Sequence, residues 1–375
     1  MPSSNIVIIG GGSSGLSIAG ALKQYGLSAT ILDSSSRTGD VWRKRYERLH
    51  LHTIKSLSHS AYKKLDASLP RYASKDEFAD YLTDYAQEFE LDIRYNTQVT
   101  RISKDESGYR IETQNGDIWQ AEHCIIATGV NRIPYIPDWS SMDAYQGTIT
   151  HAIHHKTGKD YKGKRILVVG IGNTGAEICA DCVEQGASYV ANSIRTFPMI
   201  IKRDPLGIPV HIWGVLLFPF PVGFKDWLVN TIAKFELGDL SLYGINTPEW
   251  HVFRDKRIPM IDVGYIKELK AGNITVKADI AKFTEHGVQF TDGTQEDYDA
   301  VIAGTGYRTG LENILDIPDV IDAEGNVIAE NGENAPHKGL WFIGLLSSPA
   351  GVLMAARIQS RSVAKMIASE YGKLE

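Results

Sequence analysis

Cysteine is scarce in this chain. Three residues, Cys124, Cys179 and Cys182, among 375 are too few and too oddly placed for a disulfide framework, so a reducing, cytoplasmic setting is expected. A long apolar run is missing too. The most apolar stretch, 206–224, is broken by Pro209, Pro219 and Pro221 and by His211, which argues against an integral membrane span. That stretch reads as an irregular cover over a substrate entrance, or as a contact surface for a second copy in a homodimer or for a membrane. The N-terminus, MPSSNIVIIGGG, has no basic region ahead of its apolar residues and reads as a strand rather than a signal peptide. Neither sign of charge dominates: 39 Lys and Arg against 45 Asp and Glu give a net charge of -6, no electrostatic basis for binding nucleic acid. Low-complexity segments are absent, and so is a Ser-His-Asp grammar with a nucleophile elbow. His151, His154 and His155 lack the nearby Cys, Asp or Glu that would complete a tetrahedral site, so no metal is expected.

What is present is glycine, 35 copies, gathered in short runs after apolar stretches. Length allows about two domains at the usual ~150 residues each. Asn5 to Ile9 is a continuous apolar run, as a strand buried on both faces should be, and it leads into Gly10, Gly11 and Gly12. The spacing predicts a helix from Gly15 to Tyr25, ended by Gly26, then a strand from Ala29 to Leu32 closing at Asp33: a βαβ unit. The same grammar returns at Arg165 to Val169, GIGNTG, a helix through Gln185, and a strand from Ser188 to Asn192. A second repeat, 113–130 and 290–307, predicts in each copy a small β-meander and a returning parallel strand, with NG at 115 and DG at 292 as hairpin signals. Ser74 and Glu77 form a capping box ahead of a helix reaching Phe89.

Gly10-x-Gly12-x-x-Gly15 sits between strand and helix. There the first glycine permits the turn, the second lets backbone approach a pyrophosphate, and the third allows close helix packing. The helix N-terminus adds N–H donors and positive dipole. Asp33 is positioned to accept hydrogen bonds from a ribose diol. Gly170-x-Gly172-x-x-Gly175 repeats the device, but its second strand ends in Asn192, Ser193, Ile194 and Arg195 with no acid. An acid would repel a 2′-phosphate, whereas Ser193 and Arg195 would bind one, so FAD is expected at the first turn and NADPH at the second. The fold expected is α/β, with two Rossmann-like dinucleotide-binding domains, each carrying a β-meander: 1–147 and 295–375 for FAD, with 148–294 inserted for NADPH.

These residues resemble the class B flavin-containing monooxygenases, in particular the plant YUCCA-like and related bacterial branch, over almost the whole chain. Tyr145-x-Gly147-x-x-x-His151-x-x-x-His155 resembles the family's Phe-x-Gly-x-x-x-His-x-x-x-Tyr signature. GDVW (39–42) is similar to its flavin-contacting Gly-Gly-x-Trp, and RLHLHTIK (48–55) to the plant branch's Arg-Leu-x-Leu-His-Leu-Pro-Lys. IIATG (125–129) and GTGY (304–307) resemble its paired Ala-Thr-Gly motifs. IPMIDVGYIKELKAGNITV (258–276) resembles its Pro-x-Leu-Asp-Val-Gly segment, and AARIQSR (355–361) its Ala-Glu-Leu-Gln-Ala-Arg, with Arg357 replacing the Glu.

The resemblance implies that NADPH reduces FAD, and that O2 adds to give a C4a-(hydro)peroxyflavin that oxygenates a small substrate. That substrate would be a nitrogen or sulfur nucleophile, or a 2-oxo acid; a Baeyer–Villiger reaction on a ketone is the alternative. It also implies flavin contacts from Ser14, Trp42, His52, Val99, Thr128, Gly129, Gly344 and Gln359, NADPH contacts from Asn173 and Thr174, and catalytic roles for His52 and Lys55. A different class, an NADPH-dependent flavoprotein reductase or oxidase, would use Cys179-x-x-Cys182 as a dithiol. Both cysteines fall inside the apolar helix after the second fingerprint, a setting that favours packing. A flavin-binding sensor is the remaining alternative.

Overall fold

The structure, a computed structural model, describes residues 4–322, 325–329, 332–333, 336–345 and 351–373. Its α-helices are α1 (Ser13–Lys23), α2 (Asp40–Arg43), α3 (Lys75–Glu88), α4 (Asn173–Glu184), α5 (Val210–Leu216), α6 (Val222–Leu237), α7 (Tyr265–Lys270) and α8 (Val352–Glu370). The chain divides into two units, which it enters and leaves more than once. One comprises Met1–Lys44, Thr53–Ile133 and Arg308–Glu375; the other comprises Arg45–His52 and Pro134–Tyr307.

The first unit is built on a five-stranded parallel sheet. Its order is Leu340–Phe342, His123–Ile126, Ile6–Ile9, Thr30–Leu32 and Asp92–Arg94. All four residues of Ile6–Ile9 are buried, which is why that strand reads as an unbroken apolar run. Helices α1 and α8 pack on each other, and α3 packs on α1. The capping box opens α3: the Ser74 backbone N–H donates to Glu77 Oε2 at 2.7 Å and the Glu77 N–H to Ser74 Oγ at 3.3 Å. An antiparallel meander, Val99–Asp105, Gly108–Thr113 and Ile118–Ala121, packs Ile102, Ile111 and Trp119 into one core with Val7, Ile9 and Ile126 of the sheet. Its NG turn has Gly116 at φ 83°, the conformation for which glycine is suited.

The second unit repeats the plan. Its parallel sheet runs Ile274–Lys277, Tyr189–Ser193, Arg165–Val169, Ala300–Ala303 and Thr148–His151, and its meander is Ile280–Phe283, Gly287–Phe290 and Gln295–Asp297. Here the expected boundaries need revision. The returning strand Ala300–Ala303 pairs with Arg165–Val169, so the unit runs past residue 294 to Tyr307, and Arg45–His52 joins it from far upstream. The stretch 206–224 is also more regular than expected, entering both α5 and α6. Pro209 and Pro221 occupy the N-caps of these helices, where a missing N–H costs no intrahelical bond, so the prolines start helices here rather than break them.

Candidate functional site

In the first unit the chain leaves Ile6–Ile9 through Gly10, at φ 104°, where a Cβ would stand 2.7 Å from the Ala127 carbonyl oxygen. Gly15 is as constrained, since a Cβ there would lie 1.9 Å from the Gly10 carbonyl oxygen. Gly12 differs: it is the N-cap of α1, and a Cβ on it meets nothing within 4 Å. The first turn of α1 carries no acid and no side chain caps it, which fits a pyrophosphate approaching this open backbone. Asp33 is buried at the strand end. One carboxylate oxygen accepts the Gly11 N–H and the other the Ser35 N–H, so this acid organises the glycine turn itself. Gly11 has room for a side chain only if Asp33 moves, because a Cβ there would lie 2.3 Å from Asp33 Oδ2.

Of the other residues expected beside the flavin, Thr128 and Gly129 lie along this turn, whereas His52 belongs to the second unit. Thr128 Cα lies 3.3 Å from the position of a Gly10 Cβ, and its buried hydroxyl has no partner among the described residues, as a group awaiting a ligand would be. Gly129 follows at φ 78°. A Cβ on Gly344 would strike Ser14 Oγ at 2.2 Å, and Gln359 of α8 accepts the Gly344 N–H at 3.0 Å while donating to the Phe342 carbonyl. Val99 is buried in the core with Leu32. Trp42, half-buried on α2, meets Phe78 edge-on at 4.8 Å. Lys55 is committed elsewhere: its ammonium donates to the carbonyls of Ala67 and Leu69, so the geometry favours fastening a loop over catalysis.

In the second unit Gly170, at φ 95°, would place a Cβ 2.6 Å from the Gly304 carbonyl oxygen, and Gly175 one 2.2 Å from that of Gly170. Gly172 again caps its helix, and a Cβ there meets nothing within 4 Å. Asn173 Oδ1 accepts the Ile261 N–H at 2.7 Å. Ile194 stands where the first unit has Asp33, and Asn192, buried two residues earlier in the strand, donates to the Val168 and Gly170 carbonyls at 2.9 and 3.0 Å and accepts from Tyr265 at 2.9 Å. Of the two residues expected at a 2′-phosphate, Arg195 is exposed at the strand end, but Ser193 is 1% exposed and donates its hydroxyl to the Ala278 carbonyl at 2.7 Å. Ser193 therefore acts inside the sheet.

The segment Arg45–His52 brings a further group to α4. His52 Nε2 lies 3.2 Å from Glu177 Oε1, and Glu177 is 3% exposed. The Tyr46 hydroxyl faces Glu177 and Thr174, and burial followed by the Glu177 carboxylate holds it well above its ordinary pKa. His211 of α5 stands near His52; burial and that neighbour lower its pKa to about 4. Tyr46 and Glu177 were missed from the sequence, although a carboxylate on the apolar face of α4 was a legible signal. Two of the three clustered histidines are occupied: His155 Nε2 lies 2.9 Å from Asp181 Oδ2, and His151 Nε2 donates to the Gly306 carbonyl at 2.9 Å. Among the described residues no group of three or more His, Cys, Asp or Glu could hold a metal ion. Cys179 and Cys182 are buried, and burial raises the first thiol well above its ordinary pKa and the second to about 12. Neither is poised as a reactive thiolate.

Two glycine turns, each ending at an open helix N-terminus, define a two-dinucleotide oxidoreductase. In keeping with that class, the family model for pyridine nucleotide-disulphide oxidoreductases matches residues 7–199. The indole-3-pyruvate monooxygenase YUCCA6 of Arabidopsis thaliana is 34% identical over 322 residues, 82% of this chain and 77% of that protein. YUCCA1 of Oryza sativa subsp. japonica, another indole-3-pyruvate monooxygenase, is 33% identical, with 85% and 80% covered. A flavin-containing monooxygenase from Stenotrophomonas maltophilia shares the fold with a TM-score of 0.78 at 24% identity, covering 99% of this chain and 100% of that one. The chain belongs to the class B flavin-containing monooxygenases, in their YUCCA-like branch. It is a flavin-dependent enzyme that uses FAD and NADPH to oxygenate a small molecule with O2.

Proposed function

We propose that the substrate is a 2-oxo acid, oxygenated with loss of its carboxyl carbon. One 2-oxo acid, one O2 and one NADPH with a proton then yield the shortened acid, CO2, NADP+ and water. The observation that carries this reading is the 34% identity to a relative whose name gives indole-3-pyruvate as its substrate. FAD bound at the first turn supplies hydride acceptance and reaction with O2. Gly10, Gly12 and Gly15 bring the α1 N-terminus to its pyrophosphate, and Thr128 offers a hydroxyl beside that turn. Ser14, Asp33, Val99, Gly129, Gly344 and Gln359 shape the same cradle, and Trp42 walls it. Gly170, Gly172 and Gly175, with Asn173 and Thr174, do the same for NADPH, and Arg195 pairs with its 2′-phosphate. His52, set against the Glu177 carboxylate, is the group we assign to holding and moving a proton at Nε2.

A cytoplasmic homodimer is the expected form. Three free cysteines support the compartment, and among the described residues no helix is long and apolar enough to cross a membrane. The test is to reduce the purified yellow protein anaerobically with NADPH, then admit O2 with a panel of 2-oxo acids, amines, sulfides and ketones. One CO2 per NADPH with an arylpyruvate supports the reading. Hydrogen peroxide as the sole product across the panel would remove it.

A further inference from the structure

Arg357 departs from the family's Glu and has no acid to replace it. It is a half-buried guanidinium on α8, and among the described residues it makes no ion pair. Its Nη1 donates to His59 Nε2. His59 Nδ1 meets the Ser60 carbonyl at 2.9 Å, so the proton of this imidazole sits on Nδ1 and Nε2 offers its lone pair to Arg357. One turn along α8, Arg361 stands with its guanidinium carbon 4.7 Å from the centre of the Tyr62 ring. Lys64, exposed, adds a third cation acting on His59. A Glu at 357 would make a favourable i,i+4 pair with Arg361; the Arg makes a repulsive one.

The loop facing α8 is firmly held. Ala61 N–H donates to Ser17 Oγ at 3.1 Å, Ser60 N–H to the Tyr81 hydroxyl at 2.8 Å, Tyr81 to the Lys63 carbonyl at 2.7 Å and Tyr85 to the Ala61 carbonyl at 2.8 Å. Tyr62 itself sits at φ 65°, a conformation that costs a bulky residue energy and here presents its ring to Arg361. Two guanidiniums are thus fixed by neutral partners, which orient them without neutralising them, and repulsion between them is left for a ligand to relieve. Guanidinium forks of this kind match the oxygens of a carboxylate or phosphate.

We propose that Arg357 and Arg361, set by His59 and Tyr62 and rimmed by Lys64, form a binding site for a small oxyanion, a carboxylate or phosphate group. The site lies wholly within the first unit and is independent of the substrate assigned above. The test is calorimetric titration of holoenzyme saturated with FAD and NADP+, so that both glycine turns are filled, with sodium phosphate and separately with sodium acetate at fixed ionic strength. Saturable binding with one-to-one stoichiometry is expected. It should weaken about tenfold or more in Arg357→Gln, the loss of a charge-assisted hydrogen bond. Arg361→Gln and Lys64→Gln, both at exposed positions where the fold tolerates substitution, should weaken it as well. Preference for phosphate or for acetate identifies the source of the oxyanion. No saturable binding of either anion by the parent enzyme, or undiminished binding in Arg357→Gln and Arg361→Gln, would overturn the site.

Discussion

Gly12 and Gly15 stand three residues apart and answer to different constraints. A Cβ at 15 collides with the Gly10 carbonyl, whereas one at 12 enters open space at an ordinary φ of -76°. Gly12→Ala should therefore leave the apoprotein's stability within about 0.5 kcal/mol of the parent while lowering retained FAD at least about tenfold. Gly15→Ala should destabilise the fold itself. Flavin content beside thermal unfolding separates the two, and equal flavin retention in Gly12→Ala and the parent would sink the pyrophosphate assignment. At the second turn, Arg195→Ala should raise KM for NADPH much more than for NADH. Ser193→Ala should instead cost about 1 kcal/mol of stability with the coenzyme preference unchanged, since its hydroxyl serves Ala278. The glycine spacing was legible in the sequence because Gly10 and Gly15 answer to close backbone contacts and Gly12 to the ligand expected over it. The direction of the Ser193 hydroxyl was not, because a strand's last residue points inward or outward according to pairings made with distant segments.

Elements carried the sequence reading furthest where local chemistry decides them. The Arg165–Val169 strand and the α3 capping box appear as expected, each set by a few neighbouring residues. In the stretch 206–224 the prolines signal irregular chain by composition yet stand at helix starts, because their role depends on where the flanking chain turns. That stretch also buries His211 on α5, which yields a pH prediction. Burial lowers its folded pKa to about 4 from the ordinary 6.5, so the folded state favours the neutral ring. The stability this gives is complete above pH 6.5 and is lost as pH falls toward 4, on the order of 2 kcal/mol by linkage. Denaturant unfolding from pH 7.5 to 4.5 should show that fall in the parent and a shallower one in His211→Gln; parallel profiles would remove the burial of a neutral His211 as its cause. On α4 the two cysteines are packing residues. Cys179→Ala and Cys182→Ala should keep parental turnover, and loss of activity without loss of folding would revive the reductase reading.

At the scale of the whole molecule, the duplication of glycine turn, meander and returning strand was visible in the sequence, but the extent of each unit was not. Arg45–His52 joins the second unit from far upstream, and no local pattern announces such a partner. The same holds for association between copies, where the surface of the second unit is the informative part. Phe218, Phe235 and Leu242 are 82%, 80% and 78% exposed, and Phe220, Phe224 and Trp227 form a run of ring contacts at 5.2 and 5.7 Å. Apolar surface gathered this densely on α6 and its flanks marks a contact face more often than a solvated one. A homodimer through this face predicts a sedimenting species of about twice 41.4 kDa. Phe218→Ser with Phe235→Ser should shift it to monomer, with unfolding free energy within about 0.5 kcal/mol of the parent because neither ring is buried in the protomer. A parent enzyme that sediments as monomer at micromolar concentration would exclude the dimer, and one that stays dimeric in the double variant would move the interface to another face.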